Sequence, residues 1–231
     1  MALIGSGVLA IWNGIALAAE DDFVAWHVRE HIPERVGLPG FLRGRRYVAI
    51  DGHPKYFNFY ETETAADLSS PAYQARLNAP TNWTKQVVAH FTDTSRTVCD
   101  VAWSVGVGEG GWIEAVVLES TQDAETFQAA MRAHLDDAMT SISGLVGLHL
   151  LKGHVAVGQA DTAEKKLRAV PDKTAAWILL VEAVGPEAIE AFRSQAGSER
   201  TLVSCGAGAN ISRGIYQLQF ALTHAEVARG V

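Results

Sequence analysis

The sequence predicts an α+β fold built from two copies of one strand–helix–strand–strand–helix–strand unit. Hydrophobic side chains make up 48% of the 231 residues and charged side chains 19%, which is a globular composition. Segments that fit strands and helices occur in the same order in both halves. The turn PGF at 39–41 and Phe23 also recur, at one constant offset, as SGL at 143–145 and Phe127.

The first copy is expected to begin with the strand GVLAIWNGIA and to continue as the helix EDDFVAWHVREHI. Acidic residues at 20–22 suit the positive end of that helix, and Pro33 is expected to end or tighten it. FLRGRRYVAI and KYFNFYET should form a pair of hairpin strands. Ser70 is the predicted N-cap of the helix SPAYQARLNAP, with Pro71 at its first position. A closing strand is expected at 87–91 or just after it.

The second copy is predicted from GWIEAVVLES, a strand, and TQDAETFQAAMRAHLDDAM, a helix capped by Ser120 or Thr121. SGLVGLHLLKGHVAV, KTAAWILLVEAV and GIYQLQFAL are further strands, and GPEAIEAFRSQAG is a helix. The glycine-rich GVGEGG precedes a strand, so we interpret it as a turn and not as a phosphate loop. A short linker is expected at 92–96, which divides the chain into repeats 1–95 and 96–231. Two such units can bury their apolar sheet faces against each other, so one chain would form a whole barrel.

Composition also limits the function. The net charge of −7 argues against a nucleic-acid binder, since the basic cluster at 43–46 is small. The two cysteines lie far apart, which predicts no disulfide framework and favours a cytoplasmic location. No apolar run is long enough to predict a membrane span. The apolar N-terminal stretch has no basic residue before Arg29, so we interpret it as a strand and not as a secretion signal.

One segment carries a family resemblance. FVAWHVREHIPERVGLPGFLRGRRYVA resembles the EthD-like branch of the dimeric α/β-barrel superfamily, where a helix with a His-x-Pro step precedes a Pro-Gly turn and a strand. SSPAYQARLNAPTNW is also similar to that group, and the match covers roughly residues 8–95. The matching residues are Glu30, His31, Pro33, Glu34, Arg35, Pro39, Gly40 and Arg46.

The resemblance implies a tandem duplicated, ferredoxin-like α/β barrel with its site in the first repeat. The second repeat has Leu135 in place of His31, and nothing there matches the motif. The reaction is not implied, because the superfamily contains lactone isomerases, polyketide cyclases, cofactor-free monooxygenases and haem-dependent enzymes.

His31 is the main catalytic candidate. The resemblance implies that it lines a cavity between sheet and helices, and imidazole suits proton transfer near neutral pH. Glu30 or Glu34 could orient it or take part directly. The structural alternative is a histidine at a helix end, where the helix dipole favours its cationic form.

The sequence HVREH also has the form H-x-x-E-H, an inverted zinc-protease motif. His27 and His31 are four apart on one helix face, so both could reach one ion. The motif is short, and a zinc peptidase needs a third ligand on a following helix. We therefore expect no metal and no cofactor, with a looser metal site or a haem as the alternative.

Further residues are candidates for binding a substrate. Arg45 and Arg46 point to opposite strand faces, so one of them, Arg46 by preference, could hold an anionic substrate. Asn58 and Tyr60 share a face of the next strand. His27 and Trp83 complete the set, although packing roles for both are the more common outcome.

The leading hypothesis is a small cofactor-independent enzyme of isomerase, cyclase or lyase type. It would act on an aromatic-derived or lactone-like metabolite through His31, with an arginine stabilising oxyanion charge. The alternatives are a metal- or haem-dependent enzyme of the same fold and a non-catalytic ligand-binding protein. The expected partner is a small molecule, with no nucleic acid and no membrane, and a homodimer is left open.

Overall fold

A computed structural model describes residues 3–154, 162–167 and 172–230. Eight strands in this part of the chain form a closed antiparallel barrel, in the order β1-β3-β2-β8-β5-β7-β6-β4. The strands are β1 (Gly7–Ile15), β2 (Phe41–Asp51), β3 (Tyr56–Thr62), β4 (Phe91–Gly106), β5 (Trp112–Leu118), β6 (Leu145–Gly153), β7 (Trp177–Ala183) and β8 (Ser212–Thr223).

The helices lie outside the barrel, against the outer face of the sheet. They are α1 (Glu20–Trp26), α2 (Ile32–Val36), α3 (Pro71–Asn78), α4 (Asn82–Val88), α5 (Ala124–Leu135), α6 (Ala138–Ser141), α7 (Pro186–Ser194), α8 (Glu199–Ser204) and α9 (His224–Ala228). A π-helical turn (His27–His31) joins α1 to α2. No helix in the described ranges is long and apolar enough to cross a bilayer.

The predicted fold class and the duplication are confirmed. Each half has the ferredoxin-like strand order, with β4-β1-β3-β2 in the first and β8-β5-β7-β6 in the second, and the halves join through β2–β8 and β4–β6. The registers are also equivalent. Arg45 lies opposite Phe59 in the first half, and His149 lies opposite Leu180 in the second. Two half-barrels in one chain therefore close the sheet without free edges.

Side chains that point inwards fill much of the barrel lumen. Trp12, Tyr47, Phe57 and Phe59 belong to one buried apolar cluster there. The other described residues of that cluster are mainly small or aliphatic. Most of the lumen is therefore a packed core and not a channel.

A buried charge network closes one end of the lumen. Arg45 Nη1 donates to both oxygens of Glu182, at 2.9 and 3.0 Å, and Arg45 Nη2 donates to Glu61 Oε1 at 3.2 Å. All three side chains are fully buried. Despite the cost of burial, Arg45, His149 and the Gly110 amide hold the pKa of Glu182 down at about 2. The ionised carboxylate is thus satisfied from several sides.

Several local expectations differ from the structure. Residues 92–96 are not a linker but part of β4, which pairs with β1 as far as Asp100. The cap of α5 is Asp123 and not Ser120 or Thr121, because the Asp123 carboxylate accepts from the Thr126 amide at 3.0 Å. Ser70 caps α3 as predicted. The last residues of the predicted strand SGLVGLHLLKGHVAV, 155–157, lie outside the described residues.

The division of the chain at residue 95 falls inside β4, and the repeat bounds 1–95 and 96–231 stay a prediction.

Candidate functional site

The π-helical turn places two histidines beside the outer face of the first sheet. The Ile32 amide donates to the His27 carbonyl, five residues back, and the helix continues through Pro33 to Val36. Proline has no amide hydrogen, so Pro33 cannot donate a helical hydrogen bond. The widened π-turn just before Pro33 lets the helix continue without that bond. Pro33 was expected to end or tighten the helix; it does neither. π-Turns of this kind are frequent at functional sites.

An enclosed cavity lies between this turn and the strands β1, β3 and β4. It holds about 40 Å³ of space, enough for about three water molecules. His27, His31, Asn58 and Tyr60, all predicted site residues, line it. The other described lining residues are Leu9, Ile11, Asn13, Trp26, Arg35, Phe41, Tyr73, Val88, Phe91, Thr94, Arg96 and Glu164.

The two imidazoles are stacked. Their ring centroids are 5.5 Å apart at an interplanar angle of 19°, and His31 also packs on Trp26 with centroids 4.3 Å apart. His27 is 3% exposed and His31 8%. Burial is the main cause that lowers the pKa of His27 well below its ordinary value, and the charges of Arg46 and Arg35 lower it further. His27 is therefore neutral at pH 7.

Three polar atoms of lining residues make no hydrogen bond within the part of the chain that the structure describes. They are His27 Nδ1, Asn58 Oδ1 and the Tyr60 hydroxyl. Asn58 uses its Nδ2 to donate to Asn13 Oδ1 at 3.0 Å, which fixes the amide on the strand. Buried polar groups are nearly always satisfied, so these atoms indicate a place for water or a polar ligand.

The two glutamates beside His31 are engaged by other residues. Glu30 Oε1 accepts from Thr81 Oγ1 at 2.6 Å and from Thr84 Oγ1 at 3.2 Å. The same Thr84 hydroxyl accepts from the Trp26 indole at 3.2 Å, so Glu30 helps to hold the ring on which His31 packs. The direct catalytic part predicted for Glu30 remains a prediction.

Glu34 is part of an ion-pair chain at the edge of the cavity. It accepts from Arg35 Nη1 at 2.8 Å and lies 3.0 Å from Arg76 Nε. Arg35 also pairs with Glu164 through its Nη2. Burial raises the pKa of Glu34, although both arginines oppose this. The catalytic part predicted for Glu34 likewise remains a prediction.

The remaining two predicted site residues lie next to the cavity rather than on its described lining. The Arg46 guanidinium lies over the rings of Tyr56 and Phe23, 4.7 and 5.2 Å from their centroids, and Nε and Nη2 make no hydrogen bond within the described ranges. Trp83 lies on α4, where its indole donates to Asp22 at 2.8 Å. The charge of Arg46 lowers the pKa of His27, and Trp83 packs against α1. The substrate-binding roles predicted for Arg46 and Trp83 remain predictions.

Several polar residues that line the cavity were not among the predicted site residues. Arg96 Nη2 donates to the Tyr73 hydroxyl at 2.9 Å, and Arg35 and Glu164 form the ion pair described above. Arg96 was hidden because residues 92–96 were assigned to a linker. A strand assignment would have placed Thr94 and Arg96 together on one face. Glu164 comes from the second half of the chain, and no local pattern pointed to it.

The metal alternative finds no support in the side chains. No group of three or more His, Cys, Asp or Glu side chains in the described ranges could hold a metal ion. His27 and His31 form a stacked pair in which the fixed contacts are to aromatic rings. A zinc peptidase site from the H-x-x-E-H motif needs a third ligand, which the described residues do not supply.

Comparison with solved structures shows the fold. An anthrone oxidase-like protein matches with a TM-score of 0.64 at 15% identity, over 96% of this chain and 94% of the other. A candidate monooxygenase from Fusobacterium nucleatum gives 0.59 at 10%, over 96% of each chain. A heme-binding protein from Thermus thermophilus gives 0.52 at 12%, over 94% and 92%. No protein-family model and no curated protein matches the sequence.

The chain therefore has the dimeric α/β-barrel fold, formed here by the two halves of one polypeptide. The predicted superfamily fold is confirmed. The narrower likeness to the EthD-like branch still rests on the sequence motif alone.

The residues around His31 do not fit a haem. The space of about 40 Å³ holds a few water molecules, far less than a porphyrin macrocycle requires. Phe41, Tyr73 and the Arg35–Glu164 ion pair form part of the lining of this small space.

Proposed function

We propose that the cavity beside His31 binds a small aromatic or lactone-like metabolite and that His31 transfers a proton on it without a cofactor. The observation that carries this proposal is the buried pair of stacked imidazoles in a cavity where three polar atoms have no hydrogen-bond partner among the described residues. An enclosed cavity with a few convergent polar groups is the usual form of a small-molecule site. The space of about 40 Å³ is smaller than a ring requires, so binding of a substrate with one small ring requires lining side chains to move.

The electrostatic setting supports proton removal from carbon. A base that abstracts such a proton leaves an enolate, whose negative charge needs nearby positive groups. Arg35 and Arg96 line the cavity, and Arg46 lies behind its wall, whereas Glu164 is the single carboxylate on the described lining. The neutral His27 adds no competing charge, because its pKa is lowered by burial. Because Arg35 is paired with Glu34 and Glu164, Arg96 and Arg46 are the cations that would stabilise an anionic intermediate.

The proton balance fits isomerisation, cyclisation or elimination. In each case the imidazole of His31 takes a proton from a C–H bond, and the electron pair moves into a neighbouring carbonyl. Returning that proton to a different carbon gives an isomer, whereas loss of a leaving group gives elimination. The Tyr60 hydroxyl would donate to this carbonyl, since it lines the cavity and has no hydrogen-bond partner among the described residues. A homodimer is not required, because the described residues of one chain complete the site.

The first step can be tested before the natural substrate is known. We would incubate the protein in D₂O with a butenolide and with 2-cyclopentenone, each a single small ring, and follow exchange of their acidic C–H protons by NMR. Exchange catalysed by the wild type and lost in His31→Gln supports the proposal. His90→Gln changes an exposed histidine on another segment and is the matched control. Equal exchange by the wild type and His31→Gln would contradict the proposal.

A second candidate is a cofactor-free oxygenase. It is favoured by the solved structures with the same fold, which include an anthrone oxidase-like protein and a candidate monooxygenase. The same proton abstraction would occur, but the carbanion would then be oxidised by O₂, which is the electron acceptor. Oxygen consumption that depends on His31 and on substrate would favour this candidate, and exchange without oxygen consumption would favour isomerisation.

A further inference from the structure

A second cavity lies inside the barrel lumen, at the end opposite to the Arg45–Glu182 network. Its volume is about 320 Å³, eight times that of the cavity beside His31, and none of its lining residues lines the first. Its inner wall consists of Trp12, Ala115, Ala175 and Tyr216, which belong to the lumen cluster. A volume of this order is typical of sites for small organic molecules.

Small residues keep this end of the lumen open. Barrel interiors of this size are usually filled by layers of bulky side chains. Here the layer contains Ala115, Ala175 and Gly214. A Cβ at Gly214 would lie 2.6 Å from Cε2 of Tyr216, so the absence of a side chain lets the tyrosine ring lie close to the strand. The other end of the lumen, in contrast, is closed by buried charges.

Two aromatic rings of the cavity wall are held in place by contacts with Phe57. Trp12 stacks on Phe57 with centroids 4.6 Å apart at 24°, and Tyr216 lies 5.6 Å from the same ring. Their positions are set before any ligand arrives, and such preorganisation favours binding of a flat apolar group.

The rim of the cavity carries one cation without a counter-ion among the described residues. His53 lies 3.5 Å from Asp93 and forms an ion pair with it only when its imidazole is protonated, whereas Arg213 pairs with Glu114 at 2.9 Å. Lys173 is exposed and makes no ion pair within the described ranges. Among the described residues at this mouth, its ammonium group is therefore the cation that remains for a ligand.

We propose that this cavity binds a small aromatic carboxylate, with its ring between Trp12 and Tyr216 and its carboxylate at Lys173. The wall supplies apolar aromatic contact, and the rim supplies the charge. This site is independent of the reaction at His31, because the two cavities lie on opposite faces of the sheet and share no lining residue.

The test uses 2-naphthoate as the probe and one tryptophan from the lining of each cavity as a reporter. Trp12 lines the lumen cavity and Trp26 lines the cavity beside His31, and their indole N–H signals can be assigned in ¹⁵N-labelled protein through Trp12→Phe and Trp26→Phe. We expect the chemical shift of the Trp12 signal to change in a saturable way while that of the Trp26 signal stays unchanged. Lys173→Gln should weaken binding about threefold to fivefold, as for an exposed ion pair, whereas Lys85→Gln, on exposed α4, should not.

Two further measurements complete the test. Ala115→Phe should abolish binding by filling the lumen; if it fails to fold, the Lys173→Gln affinity still decides the case. The uncharged 2-naphthamide should bind the wild type no better than 2-naphthoate binds Lys173→Gln. Movement of the Trp26 signal alone, or no saturable binding, would overturn the site. Equal affinities for 2-naphthoate and 2-naphthamide would overturn the assignment to a carboxylate.

Discussion

Burial of a neutral imidazole at position 27 makes stability depend on pH in a way that can be calculated. The pKa of His27 is lowered well below its ordinary value, mainly by burial. The unfolded chain takes up a proton near the ordinary imidazole pKa of about 6.5, whereas the folded chain does not. Stability is therefore lost as the pH falls through the unfolded pKa, and it is retained above it.

The size of this effect follows from linkage. If His27 stays neutral in the folded protein, lowering the pH from about 7.5 to about 5.5 costs about 1.4 kcal/mol of unfolding free energy. His27→Gln removes the titrating group and should flatten the curve by that amount, whatever its own effect at pH 7.5. Other groups contribute equally to both proteins and cancel in the difference.

Urea denaturation followed by circular dichroism at a series of pH values measures this difference. His90→Gln, which changes an exposed imidazole, is the matched control and should leave the wild-type slope unchanged. If His27→Gln loses as much stability on acidification as the wild type, His27 is protonated in the folded protein, and the assignment of a neutral imidazole at this position in the cavity is wrong.

Three further substitutions test the buried charge network, the packing around Gly44 and the N-cap of α3. Arg45→Met leaves Glu182 buried without its main cation, so unfolding free energy should drop by about 3–5 kcal/mol in urea titrations; a loss below about 1 kcal/mol would contradict the network. Gly44→Ala places a methyl group 3.0 Å or less from three side-chain carbons, which should cost about 1–3 kcal/mol and lower the melting temperature; an unchanged Tm would refute this. Ser70→Ala removes the cap of α3 and should cost about 1 kcal/mol by the same titration; an unchanged unfolding free energy would contradict the cap.

Much of the fold was predictable because hydrophobic periodicity and turn residues reflect local physics. Strand alternation in KYFNFYET and the proline at the start of α3 each determine local structure within a few residues. The duplication was visible because Phe23 and Phe127 have the same role in equivalent helices, and both are fully buried. The closing of two halves into one barrel then follows from burying the second sheet face.

The site was only partly predictable, because it depends on contacts between distant segments. His27, His31, Asn58 and Tyr60 come from local patterns and do line one cavity. The pairing of Arg35 with Glu164 joins residues 129 positions apart, which no sequence window can reveal. The π-turn was also missed, since its cause is a single missing amide hydrogen at Pro33 combined with tertiary packing.

The strand pairs β2–β3 and β6–β7 have equivalent registers, so an axis relates the two halves of the barrel. In a barrel of two identical subunits, every group on that axis faces its own copy, so an arginine at position 45 would meet a second arginine. Here the equivalent residue is His149, and the equivalent of Glu61 is Glu182. One guanidinium can therefore bridge the carboxylates of both halves. Fusion into a single polypeptide permits this unsymmetrical bond, and it leaves each half free to evolve a different pocket.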